Sequence, residues 1–278
     1  MNTVFQCCVP RDEVLEGELR DDLFAARLKD VIEGTADPVY KDPTVFFDNT
    51  FPTEGLKVLL SEALGRLTGL KPASNAVIRL ETAFGGGKTH NLIALHHVAK
   101  GYAPGSSFVG ADLVRAPGDV RVAGVVGSDL QPRDGLDHGD VTTYTMWGEL
   151  AYQLGGAEGY ALVAGSDQDY SAPGTGFLEQ LVGGDGQHPE EPTLIMLDEL
   201  ARHMRSAMTV PTVTGKSDLA EQTVAFLMSL FEFAASRRRV VAVVTLSDPH
   251  DAFGKEAEKL RHDLAEARRV SARQERVI

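Results

Sequence analysis

Near the N-terminus, Val14, Leu15, Leu19, Leu23, Leu28, Val31 and Ile32 are spaced among charges at roughly helical intervals, predicting a half-buried helix over residues 12–33. The pattern sharpens over 53–67. There Leu56, Leu59, Leu60, Ala63, Leu64 and Leu67 follow at three- and four-residue steps, and Thr53 after Pro52 is a candidate N-cap. Between these helices, residues 37–51 hold two prolines and the rings of Phe46, Phe47 and Phe51, which predicts an extended connection anchored in the core.

Further on, short uninterrupted apolar runs alternate with helical periods. Residues 76–80 read as a strand entering a glycine-rich turn, and 88–100 as a helix through Leu92, Ile93, Leu95 and Val98. Residues 120–126 form a second buried strand, followed by a helix over 143–154 and by loops from 155 to 188 around one short helix at 177–181. A third strand, 194–197, ends in Asp198-Glu199, and a helix or turn follows over 200–208. A loop at 209–216, a long helix at 219–235 and a fourth strand at 239–246 come next. The last segment, 255–277, is predicted as a highly charged helix with Leu260, Leu264 and Val270 as its few anchors. Strands alternating with helices imply an α/β fold with a mostly parallel sheet and helices on both faces.

Composition narrows the function classes. The 278 residues suffice for a sizeable core, and the hydrophobic (43%) and charged (24%) fractions are ordinary for a globular protein. The longest apolar runs fall far short of the roughly 20 residues that span a bilayer, and the N-terminus lacks a basic start and an apolar stretch, so no membrane segment and a cytoplasmic location are expected. Cys7 and Cys8, the only cysteines, are neighbours, which excludes a disulfide framework and a zinc site. A formal net charge of -13 argues against a broad nucleic-acid footprint, although the stretch from Gly254 carries seven Lys or Arg against five Asp or Glu.

The glycine-rich turn carries the chemistry. Ala83-Phe84-Gly85-Gly86-Gly87-Lys88-Thr89 ends as a phosphate-binding P-loop does, with Thr82 in place of the usual first glycine. Glycines let backbone N–H groups turn toward phosphate oxygens, Lys88 supplies a charge to the β- and γ-phosphates, and the Thr89 hydroxyl suits Mg²⁺. The N-terminus of the following helix, with His90 in its first turn, adds partial positive charge. Gly215-Lys216-Ser217 matches the same ending but lacks upstream glycines and follows Pro211, so it reads as a loop.

Asp198 and Glu199 stand at the carboxyl end of an apolar strand, where ligands bind in open α/β sheets. Alone, such a pair is a common solvated strand end. With a phosphate loop about a hundred residues earlier, Asp198 is expected to hold Mg²⁺ and Glu199 to polarise the attacking water. With the 120–126 strand intervening, the acidic strand is expected one place removed from the phosphate-loop strand, as in ATPases that hydrolyse with a strand-end glutamate. Thr245 or Ser247 is a candidate γ-phosphate sensor. Arg237-Arg238-Arg239 reads as a solvated basic loop more readily than as an arginine finger, and no acid or cysteine at ligand spacing joins His90, His96 and His97 in a metal site.

Four stretches resemble a known family: Asp48-Asn49-Thr50-Phe51-Pro52-Thr53-Glu54-Gly55-Leu56, Leu80-Glu81-Thr82 through the loop to His90, Thr145-Met146-Trp147-Gly148-Glu149-Leu150-Ala151-Tyr152-Gln153-Leu154-Gly155-Gly156, and Leu197-Asp198-Glu199-Leu200. The family comprises large prokaryotic P-loop ATPases, AAA+-like and catalogued as a domain of unknown function, found near DNA methyltransferases in phage-defence clusters. The Trp-Gly-Glu block has no chemical role that its residues suggest. The resemblance implies an N-terminal fragment of a longer protein, with a helical extension over 1–70, an ATPase core over 71–253 and a charged helix over 254–278 that continues beyond. It also implies ATP and Mg²⁺ as ligands and a partner such as a DNA methyltransferase, while homo-oligomerisation and DNA contact stay open. The resulting expectation is an Mg²⁺-dependent ATPase module of a defence or DNA-modification complex. The alternative is a nucleotide-binding scaffold or switch with little hydrolysis.

Overall fold

The computed structural model describes residues 26–82, 87–110, 120–183 and 190–247, with Leu15, Gly17, Leu113, Leu260, His262 and 275–277 besides. The chain begins with three short helices, α1 (Leu28–Ile32), α2 (Pro38–Lys41) and α3 (Pro43–Asp48), and a longer one, α4 (Glu54–Leu67). Strand β1 (Val77–Thr82), helix α5 (Lys88–Ala99) and strand β2 (Arg121–Val126) follow, then a small hairpin of β3 (Leu136–Asp137) and β4 (Thr142–Thr143). Next come α6 (Met146–Ala161), α7 (Ala164–Gln168), α8 (Gly176–Val182), β5 (Thr193–Asp198), α9 (Leu200–Ala207), α10 (Leu219–Ser236), β6 (Val240–Ser247) and β7 (Glu275–Val277).

Five strands form one sheet in the order β2-β5-β6-β1-β7, and every pairing is parallel. The uninterrupted apolar runs follow from burial on both faces. Along β5, Leu194 and Met196 enter one core and Ile195 and Leu197 the other; along β6, Val241 and Val243 oppose Val240, Ala242 and Val244. The first core is closed by α1, α3, α4 and α5, and the second by α6, α8, α9 and α10. Leu56, Leu59, Leu60 and Leu64 of α4 share a core with Ile78 and Val241, so residues 28–67 pack directly on the sheet.

The structure corrects several expectations. Residues 37–51 are not extended. Pro38 and Pro43 each take the first helical position, where a missing N–H costs nothing, and the preceding aspartates cap the turns: Asp37 Oδ1 accepts from Val39 N–H (3.1 Å) and Asp42 Oδ1 from Thr44 N–H (2.8 Å). Phe46 and Phe47 are buried as expected, but Phe51 is 80% exposed. The helix predicted at 143–154 starts three residues later, because Thr145 Oγ1 caps it by accepting from Gly148 N–H, and it runs on to Ala161 with a kink at Gly156. The predicted terminal helix ends instead in β7, which pairs with β1 at the sheet edge. Cys7, Cys8, Leu264 and Val270 lie outside the described residues.

Arg237, Arg238 and Arg239 precede β6, at the sheet end opposite the carboxyl termini of the strands. Arg238 is exposed, but Arg237 and Arg239 are not freely solvated. The Arg237 guanidinium stacks over Phe233 and pairs with Glu179 at 3.3 Å, while Arg239 Nε donates to Leu67 O at 2.8 Å.

Candidate functional site

The described elements converge at the carboxyl edge of the sheet. Strand β1 leads toward Ala83, Phe84, Gly85 and Gly86, which lie outside the described residues. Gly87 has a φ of 75°, in the left-handed region that a Cβ disfavours, so a glycine ends the loop. Lys88 then opens α5, and Thr89 and His90 complete its first turn.

Thr89 reaches the acidic strand directly. Its hydroxyl donates to Asp198 Oδ2 at 2.7 Å, and Asp198, at the last position of β5, is only 3% exposed. The other carboxylate oxygen, Oδ1, accepts from the Thr245 hydroxyl at 2.5 Å and from Glu199 N–H at 3.0 Å. Glu199 N–H also donates to Thr245 Oγ1 at 3.1 Å. A threonine hydroxyl has one proton to give, and here Thr245 gives it to Asp198. The buried Thr245 thus fixes Asp198 and the Glu199 peptide relative to each other. The Ser247 side chain lies outside the described residues.

Sheet order explains why these groups meet. Asp198 is one strand removed from β1, as expected, but the strand between is β6, with β2 on the far side of β5. Thr245 on the intervening strand is therefore within reach of Asp198, and its register partner on β1 is Leu80.

The carboxylates open on a cleft of about 270 Å³ lined by Thr89, Asp198 and Glu199 together with Arg27, Ser128, Asp129 and Arg202. Two ion pairs stand in its wall, Arg27 Nη2 to Asp129 Oδ1 and Arg202 Nη1 to Glu199 Oε2, each at 3.6 Å. Sequence reading missed these four residues. Ser128 and Asp129 follow a parallel strand at its carboxyl end, the same signal that singled out Asp198, whereas Arg27 carried no local signal.

His90 faces away from the acids. Its Nε2 is 2.9 Å from the Thr50 hydroxyl, whose proton goes to Phe46 O at 2.6 Å, and its ring stacks on Phe46 with centroids 4.5 Å apart. Burial pushes its pKa below the usual histidine value. His97 Nε2 lies 2.7 Å from Tyr40 O, also in helix packing. Among the described residues no three His, Cys, Asp or Glu side chains are grouped to hold a metal, and no helix is long and apolar enough to cross a membrane.

The Trp-Gly-Glu block is structural. Trp147 is fully buried against Phe226, and Glu149 accepts from the Thr143 hydroxyl (2.7 Å) and from Gln153 Nε2 (2.7 Å). The Gln153 amide also pairs with both backbone groups of Gly124 on edge strand β2, at 2.8 and 3.1 Å. It thereby occupies an edge that would otherwise template another strand.

No curated protein and no solved structure matches the chain. The family model described as the DUF499 N-terminal domain matches residues 5–107 and 111–276, almost the whole length, and the chain belongs to that family.

Proposed function

We propose that the chain binds ATP with Mg²⁺ at the carboxyl edge of its sheet and hydrolyses it, as the ATPase module of a prokaryotic defence or DNA-modification complex. The observation that carries this reading is the hydrogen bond from Thr89 to Asp198, which joins the turn after the glycine loop to the acidic strand end. The two side chains offer only oxygen donors, the set that Mg²⁺ prefers, and bound Mg²⁺ would neutralise charge developing on the phosphates. Gly85, Gly86, Gly87 and Lys88 would cradle the phosphates, and Glu199, on the cleft wall, would orient and polarise the attacking water. The strand order, with β6 between β1 and β5, supports a P-loop core of the branch that hydrolyses with a strand-end glutamate, AAA+-like. The defence setting and a methyltransferase partner rest on the family resemblance alone.

One observation favours the scaffold or switch reading: the Glu199 carboxylate is engaged by Arg202 at 3.6 Å, which opposes its service as a base. Measuring ATP binding and phosphate release for wild type, Lys88→Ala and Glu199→Gln separates the two. Hydrolysis predicts that Lys88→Ala loses binding while Glu199→Gln binds without turnover. Wild-type binding that survives Lys88→Ala would remove the site assignment, and wild-type binding without turnover, unchanged by Glu199→Gln, would select the switch.

A further inference from the structure

Glu199 and Tyr170 are the non-glycine residues with positive φ among the described residues, and Glu199 sits at φ 53°, ψ 36°. In that region a Cβ crowds the following carbonyl, so the surroundings must hold the residue there. A glycine at 199 would make the same turn without strain, yet the position carries a side chain on the cleft wall. The space for this turn is found opposite, at Gly127.

Gly127 follows β2 and donates its N–H to Asp198 O at 2.8 Å, extending the β2–β5 ladder by one bond. This bond pins it against the Asp198–Glu199 peptide. A Cβ at 127 would lie 2.6 Å from Glu199 O and 2.8 Å from His203 Cβ, closer than real Cβ atoms come. The Glu199 carbonyl cannot yield freely, because it accepts from Arg202 N–H (3.1 Å) and His203 N–H (3.2 Å) as the first acceptor of α9. On the other side, Glu199 N–H is bound to Asp198 Oδ1 and Thr245 Oγ1. Gly127 has a φ outside the left-handed region, so glycine is required there for room and not for conformation.

We infer that Gly127 is a positioning residue for Glu199: the missing side chain at 127 is what lets Glu199 turn left-handed and present its carboxylate to the cleft. The catalytic consequence rests on the reading of Glu199 as the group that polarises water. The geometric claim does not.

Two measurements test the inference separately. The first is a double-mutant cycle of melting temperatures with Gly127→Ala, Glu199→Gly and the pair. Glycine at 199 reaches backbone conformations closed to Glu199, which lets the 199 carbonyl turn away from a Cβ at 127 by giving up a bond to α9, so Gly127→Ala lowers the midpoint by about 4 °C in wild type and by less beside Glu199→Gly, where the contact with His203 Cβ remains. Equal losses in both backgrounds would overturn the inference. If Gly127→Ala does not fold alone, Glu199→Gly restores its folding, and failure to restore it would overturn the inference equally. The second measurement reads ATP affinity and turnover of Gly127→Ala. The expectation is a Kd within about threefold of wild type and a kcat lowered at least about tenfold. A retained kcat, or a Kd that weakens as much as kcat falls, would refute the positioning role. A wild type that neither binds ATP nor releases phosphate would end the ATPase reading, and the melting cycle would still decide the contact.

Discussion

The Thr89 hydroxyl and the Asp198 carboxylate, 109 residues apart in sequence, are joined by a 2.7 Å hydrogen bond. This bond defines the first prediction. Thr89→Val keeps the shape of the side chain and removes a donor to a buried carboxylate, so the fold should lose about 1–3 kcal/mol. Nucleotide affinity in the presence of Mg²⁺ should fall at least about tenfold, because one of the two oxygen groups suited to the cation is gone. Titrating a fluorescent ATP analogue with and without Mg²⁺ checks this. The variant should show nearly the same Kd in both, and a Mg²⁺ dependence like that of wild type would refute it.

Thr245 sharpens the contrast between a sensor and a bracket. Its proton is given to Asp198, its oxygen accepts from Glu199 N–H, and it is 2% exposed. Thr245→Val leaves these partners short of one bond each in a buried place and should cost about 2 kcal/mol, which lowers the melting midpoint by several degrees. A γ-phosphate sensor would instead lose discrimination between ATP and ADP with its stability intact. Thermal melts and competition binding of both nucleotides separate the outcomes.

The legible parts of the site and fold were those written locally. Strand β5 announced itself as an apolar run because both its faces are buried, and α5 did so by its period behind the glycine turn. Strand order is set by pairings between distant segments, so the sequence could not tell that β6 would lie between β1 and β5. Prolines misled at 38 and 43, where capping by Asp37 and Asp42 made them helix starts. Arg27 joins the cleft only because its segment folds across the sheet edge, and nothing in its neighbourhood marks that.

Asp167 is an acidic side chain outside the site. It is completely buried and accepts from Tyr144 N–H, Thr145 N–H, the Thr145 hydroxyl and the Tyr160 hydroxyl at 3.0 Å. Burial raises its pKa in spite of these donors. Asp167→Ala would strand those donors at both ends of α6, and a loss of about 3 kcal/mol or more is expected in urea unfolding. A loss below about 1 kcal/mol would show that water or rearrangement satisfies them.

Acid should destabilise the protein through two histidines on the helices that flank the site, α5 and α9. His96 and His203 are buried, their Nδ1 atoms have no hydrogen-bond partner among the described residues, and burial pushes each pKa down to about 4. For His96, the neighbouring His97 and Lys100 lower it further. In the unfolded chain both titrate near about 6.5. Between these values the unfolded state binds protons that the folded state refuses, so stability is complete above about pH 6.5 and falls as pH drops toward 4. Each histidine contributes a loss on the order of 3 kcal/mol at most across that window. Urea midpoints measured from pH 7.5 to 4.5 should decline accordingly, and His203→Leu, which removes one titrating group, should flatten the decline. An unchanged slope in that variant would mean that the folded protein protonates His203 as readily as the unfolded chain does.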